Sequence, residues 1–148
     1  MKLSPQELFL QFLFYRTRLE QLLRAFDEAH EEDLCKNPDM FDRTQETFSG
    51  KMHPNGRLRA LEASLAEEDE EFLLFVLALL DAGMEVSLGL SCRLSPREFA
   101  ADAALALSEL AAEGLSAPVL AHRITETKAG LSRTRLALAC EILSGKEE

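Results

Sequence analysis

Residues 72–80 have the sequence FLLFVLALL, nine apolar residues in a row, and this stretch decides the fold class. A segment that is apolar on all sides must be buried inside the protein, and nine residues are far fewer than the ~20 that a membrane span needs. The acidic run EEDEE at 67–71 precedes it, and acidic residues favour the N-terminus of a helix. We therefore expect a buried central helix that ends at Gly83.

The apolar residues before this stretch follow a helical spacing. Leucines and phenylalanines share one heptad frame at positions 58, 61, 65, 72, 75 and 79. Two interpretations fit this pattern. One long helix spans 57–82, or the chain breaks near Ser64, whose spacing to Glu67 makes a capping box.

The N-terminal segment predicts a long amphipathic helix from about Pro5 to about Glu31. Its apolar residues alternate in steps of four and three, at Leu8, Phe12, Tyr15, Leu19, Leu22 and Phe26. Four further apolar residues widen the apolar surface over the first turns, namely Phe9, Leu10, Leu13 and Phe14. A single preceding lysine and no small-residue cleavage site favour a folded helix over a signal peptide. The wide surface needs cover from the rest of the domain or from a second subunit.

Serine begins four of the predicted helices, at positions 4, 95, 116 and 132. At the first two a proline follows and a glutamate stands three residues after the serine, which together make a capping box. After Ser95 we expect an alanine-rich helix over 96–113 that ends at Gly114. Two short helices follow at about 117–128 and 133–144, with Gly130 and Gly145 as their ends.

Two segments interrupt the helical pattern. Residues 33–56 contain Asn-Pro, Ser-Gly and Pro-Asn-Gly, which are turn signals, and predict a long loop. Residues 85–94 alternate apolar and polar, which is typical of a strand, but no other segment offers it a partner. We expect an extended linker there, with edge pairing to a second copy as the alternative. The chain is therefore predicted to be a single all-α domain over 1–148, a bundle of five or six helices in which 116–145 forms a helical hairpin that could stand as a subdomain.

Composition and motifs argue against several classes of chemistry. The formal net charge of −10 repels nucleic acid, whose binding depends on neutralised phosphates. Cys35, Cys92 and Cys140 are odd in number, far apart and without a Cys-x-x-Cys spacing, which argues against a disulfide framework or a zinc site and favours a reducing cytoplasm. Asp27 and His30 lie one helical turn apart, but the matching pairs that a di-iron bundle needs are missing. We expect no enzyme activity, no metal and no cofactor.

Residues 119–139 carry a second hypothesis. The turn at Gly130, the serine after it and an apolar Leu136 resemble the helix-turn-helix segment of bacterial winged-helix regulators. The resemblance covers about twenty residues, and Thr125 and Glu126 stand where that motif has an apolar and a small residue. It implies a DNA-binding transcriptional regulator, with contacts from Lys128, Arg133, Thr134 and Arg135.

The preferred hypothesis is a small acidic, non-enzymatic protein that acts through protein–protein contacts, as an adaptor, a chaperone-like factor or a regulatory subunit. Its partner is expected to be another protein or a second copy of itself, with no membrane contact. The N-terminal helix has more apolar surface than one packing seam requires. The residues predicted to contact the partner are Phe9, Phe12, Leu13 and Tyr15, with Glu68 and Glu70 of the acidic run as a secondary contact.

Overall fold

A computed structural model describes residues 4–35, 56–87 and 95–144, and this part of the chain contains six α-helices and no strand. The helices are α1 (Pro5–Cys35), α2 (Gly56–Leu65), α3 (Glu70–Ser87), α4 (Pro96–Glu113), α5 (Ala117–Thr125) and α6 (Ala129–Ser144). The predicted all-α bundle is confirmed. Of the predicted loop and linker, 36–55 and 88–94 lie outside the described residues, whereas 33–35 and 85–87 are helical.

Helix α3 forms the centre of the bundle, as its apolar sequence predicts. It packs against α4, α5 and α6, and every residue of 72–80 except the half-buried Leu74 is buried. Full burial of one such large apolar side chain contributes roughly 1.5–3 kcal/mol. This stretch therefore supplies a large part of the driving force for folding.

Helix α1 lies along the outside of the bundle, against α6, α4 and α2. All six heptad residues from Leu8 to Phe26 are buried, and Ala29 extends the buried seam by one turn. The predicted seam is confirmed. The helix continues to Cys35, four residues beyond its predicted end near Glu31.

Local capping bonds fix the starts of two helices. Both predicted capping boxes form: the Glu7 and Glu98 amides each donate to a serine Oγ at 3.1 Å, and the amides of Ser4 and Ser95 donate back to the glutamates. Ser116 is also an N-cap, but its side chain makes no capping hydrogen bond.

The predicted serine cap at Ser132 is wrong. Helix α6 begins at Ala129, and the amide of Ser132 already donates an intrahelical bond to the carbonyl of Lys128 at 3.0 Å. Ser132 is 1 % exposed and faces the bundle. Packing of the first turn of α6 therefore starts this helix three residues before the serine.

Glycine ends one helix and lies inside two others. Gly114 ends α4 with φ of 68°, as predicted. The predicted ends at Gly83 and Gly130 are wrong, because α3 and α6 run through them. A Cβ at Gly83 would lie 2.7 Å from the carbonyl oxygen of Arg135 on α6, and one at Gly130 would lie 2.9 Å from the His30 ring on α1. These glycines therefore allow close contact between helices.

The chain breaks between α2 and α3, as one of the two interpretations proposed. The break covers 66–69, and the proposed cap at Ser64 is wrong because Ser64 lies in the last turn of α2. The first helical bond of α3 runs from the Leu73 amide to the Asp69 carbonyl at 3.1 Å. The acidic run therefore lies at the start of α3, where the helix dipole favours negative charge.

No helix among residues 4–35, 56–87 and 95–144 has the length and apolar content that crossing a bilayer requires.

Candidate interaction surface

A strip along the outward side of α1 between Gln6 and Gln21 is uncharged, and the exposed Glu7, Arg16 and Glu20 flank it. At 3.6 residues per turn this side lies opposite the buried seam. It consists of Gln6, Leu10, Leu13, Phe14, Thr17 and Gln21, all exposed, which we call the α1 face. Its three large apolar side chains are 62 %, 59 % and 77 % exposed, at Leu10, Leu13 and Phe14 respectively. The solvent side of a surface helix is ordinarily charged or polar, so this face is unusual.

The structure corrects the residues predicted to contact a partner. Phe12 and Tyr15 are only 2 % and 5 % exposed, so they belong to the core. Phe9 is half-buried and packs against the core. Leu13 is exposed, but the prediction left out its neighbours Leu10 and Phe14. Their positions opposite the heptad seam were the signal that could have identified them.

A chain of aromatic rings connects the α1 face to the start of α3. The rings of Phe14 and Tyr15 meet edge to face with centroids 5.1 Å apart, and Tyr15 meets Phe72 at the same distance. Burial raises the pKa of the Tyr15 hydroxyl, and the neighbouring Glu71 raises it further. Tyr15 therefore stays an uncharged phenol beneath the face.

Arg18 holds the acidic run beside α1. Its guanidinium lies 4.3 Å from the ring centroid of Phe72, donates a hydrogen bond to Glu68, and is 3.8 Å from the Asp69 carboxylate. A cation over an aromatic ring is favourable, and more so when water is excluded. Of the two acidic residues predicted as a secondary contact, Glu68 is thus already paired, whereas Glu70 is exposed.

The other exposed large apolar side chains lie on separate helices, and two of them, Met84 and Leu105, border one depression between α3 and α4. Among the described residues they lie one on each of α3 to α6, at Met84, Leu105, Val119 and Leu131. Single exposed apolar residues are normal on protein surfaces, whereas clusters mark interaction sites. The α1 face, with three such residues within five positions, is the strongest candidate surface.

The residues of the DNA-binding hypothesis do not form one exposed basic patch. Lys128 and Thr134 are exposed, but Arg133 is half-buried with its Nε 2.8 Å from Asp27 of α1. Arg135 is half-buried and lines a cleft beside α3. In addition, α5 packs mainly on α2 and α3, whereas α6 packs on α1 and α3. Arg133 and Arg135 are thus half-buried against α1 and α3, whereas Lys128 and Thr134 are exposed.

The candidate reactive groups are held in structural contacts. Among the described residues no three histidine, cysteine or acidic side chains come together in a way that could hold a metal ion. Asp27 pairs with Arg133, and the His30 ring lies against Gly130. Burial raises the pKa of the Cys140 thiol to about 11, so this cysteine is a protonated, weakly nucleophilic thiol at neutral pH.

No family model, no curated protein and no solved structure matches this chain.

Proposed function

We propose that this protein acts by binding another protein on its α1 face, as a small acidic adaptor, chaperone-like factor or regulatory subunit without enzyme activity. The observation that carries the proposal is the exposure of Leu10, Leu13 and Phe14 on an uncharged strip of α1. Contiguous apolar groups exposed to water cost free energy, and they are typical of surfaces that a binding partner covers. The spaced cysteines favour the cytoplasm as the place of action.

The acidic run beside the face suggests the chemistry of the partner. Arg18 and the aromatic chain through Tyr15 keep residues 67–71 close to the α1 face, and most of these acids are exposed. A partner with an apolar segment flanked by lysine or arginine would match both the apolar α1 face and the acidic run. A second copy would bring like charges together, because the chain carries a net −10, and juxtaposed like charges oppose association.

Site-specific photocrosslinking in the cells that produce the protein tests this proposal. A benzophenone amino acid at position 14 should crosslink to one other protein. The same group at Leu131, an exposed apolar residue on α6, is the control and should not crosslink to that protein. The double variant Leu10→Ser/Leu13→Ser should abolish the product at position 14 while circular dichroism stays unchanged.

Two results would contradict the proposal. Identical products from positions 14 and 131 would mean that the α1 face has no special role. A product containing only this chain would replace the proposed partner with a second copy, and sedimentation equilibrium would then show a dimer that the double variant lacks.

A further inference from the structure

A depression opens to solvent between the C-terminal end of α3 and the middle of α4, with a volume of about 320 Å³. Residues of these two helices alone form its lining. It is therefore a surface additional to the α1 face, and what it binds does not depend on that face.

Part of the lining is apolar and exposed. Leu105 of α4 is 55 % exposed and Met84 of α3 is 36 % exposed, and both line the depression beside the short side chains of Ala82 and Ala106. An apolar side chain of a partner that covered Leu105 and Met84 would remove apolar surface from water, which favours binding.

The charged residues that line the depression are all acidic. Asp102 and Glu109 are exposed and take part in none of the ion pairs within the described parts of the chain. Asp81 already has another interaction, so only the two residues of α4 are available to a partner. Glu113, one turn further along α4, is paired with Arg123 at 3.5 Å. The depression therefore presents two negative charges that no described cation neutralises.

The spacing along α4 restricts the shape of the partner. Asp102, Leu105 and Glu109 follow one another in steps of three and four, so they lie along one side of the helix. The two acidic residues are about two turns apart, roughly 10 Å along the axis. Two basic residues seven positions apart on a second helix have the same separation, and the third and fourth residues after the first basic one lie between them on the same side.

We propose that this depression binds a basic amphipathic helix of another protein, with lysine or arginine at two positions seven apart and leucine-like residues between them. The basic side chains pair with Asp102 and Glu109, and the apolar side chains pack on Leu105 and Met84. Such helices bind grooves through apolar anchors, and complementary charge selects the partner. A second copy of this chain is disfavoured because its net charge is −10.

NMR titration of the full chain with synthetic helical peptides tests the proposal. The probe peptide carries two lysines seven positions apart, with leucines at the third and fourth positions after the first lysine. It should shift the amide signals of residues 102–109 saturably. A control peptide with glutamines in place of the lysines should bind about fivefold more weakly, since two exposed ion pairs contribute roughly that factor. A control with serines in place of the leucines should bind about tenfold more weakly or worse.

Variants separate this site from general attraction between a basic peptide and an acidic protein. Asp102→Asn/Glu109→Gln should weaken binding of the probe by about fivefold. Glu31→Gln/Glu141→Gln removes the same charge at two exposed acids that pair with no described residue, and it should leave binding nearly unchanged. Leu105→Ser should weaken binding about fivefold or more, with an unchanged circular dichroism spectrum because Leu105 is exposed.

Four results would overturn the proposal. They are absence of saturable binding, equal losses in the two double variants, shifts confined to α1 and the acidic run, and a dimer in sedimentation equilibrium that Leu105→Ser dissociates. The third would place the peptide on the α1 face alone, and the fourth would make a second copy the occupant. Shifts at 102–109 that persist in the Leu10→Ser/Leu13→Ser variant would support this site whether or not the α1 face binds a partner.

Discussion

Gly83 lies near the C-terminal end of α3, where the backbone of α6 comes so close that a Cβ would meet the Arg135 carbonyl oxygen at 2.7 Å. Gly130 lies in α6 and has a different kind of neighbour. A Cβ added there would lie 2.9 Å from the exposed side chain of His30. A side chain can turn away, but the backbone of a packed helix cannot. The two glycines therefore make a matched test of the α3–α6 contact.

Gly83→Ala should destabilise the protein. The substitution improves helix propensity by about 1 kcal/mol, but forcing the two helices apart costs roughly 1–3 kcal/mol in overpacking. We expect a net loss of up to about 2 kcal/mol in the free energy of unfolding in urea. Gly130→Ala should be neutral or stabilise by up to about 1 kcal/mol, because His30 can move. Equal effects of the two substitutions would mean that α3 and α6 are not in close contact.

At the scale of helices, capping bonds distinguish serines that the sequence makes look alike. The Ser95 side chain accepts a bond from the Glu98 amide in a complete capping box, whereas the Ser116 side chain makes no capping bond. Ser95→Ala should therefore lower the free energy of unfolding by about 1 kcal/mol, and Ser116→Ala by only a few tenths. Equilibrium unfolding in urea measures both. A larger loss for Ser116→Ala would contradict the assigned caps.

Helix boundaries that depend on neighbouring residues in the chain were predictable, and those that depend on packing were not. The boxes at Ser4 and Ser95 and the left-handed end at Gly114 use only local hydrogen bonds and backbone geometry. Gly83 and Gly130 have the same local sequence signal for an end, but they lie inside helices because another helix contacts them. Only the tertiary structure distinguishes the two cases.

The candidate surface was predicted on the right helix but with the wrong residues. The heptad spacing of α1 identifies its buried side, and the opposite side follows from helix geometry. The prediction combined two residues of the heptad seam, the buried Phe12 and Tyr15, with Phe9 and Leu13, and it left out the exposed Leu10 and Phe14. The depression between α3 and α4 gave no sequence signal, because its lining depends on how these two helices pack.

At the scale of the whole molecule, α1 divides its apolar residues between two roles. One side closes the core against α4 and α6, and the other remains exposed on a chain whose net charge is −10. Globular proteins are stable by only about 5–15 kcal/mol, so a core residue and a surface residue on the same helix should differ clearly in their effect on unfolding.

Equilibrium unfolding of Phe12→Ala and Phe14→Ala tests this division most directly. The two phenylalanines lie two positions apart on α1, 2 % and 77 % exposed. Phe12→Ala should lower the free energy of unfolding by about 3–5 kcal/mol through the cavity it leaves, and Phe14→Ala by less than about 1 kcal/mol. Comparable losses in the two variants would contradict the account, because Phe14 would then be part of the core and unavailable to a partner.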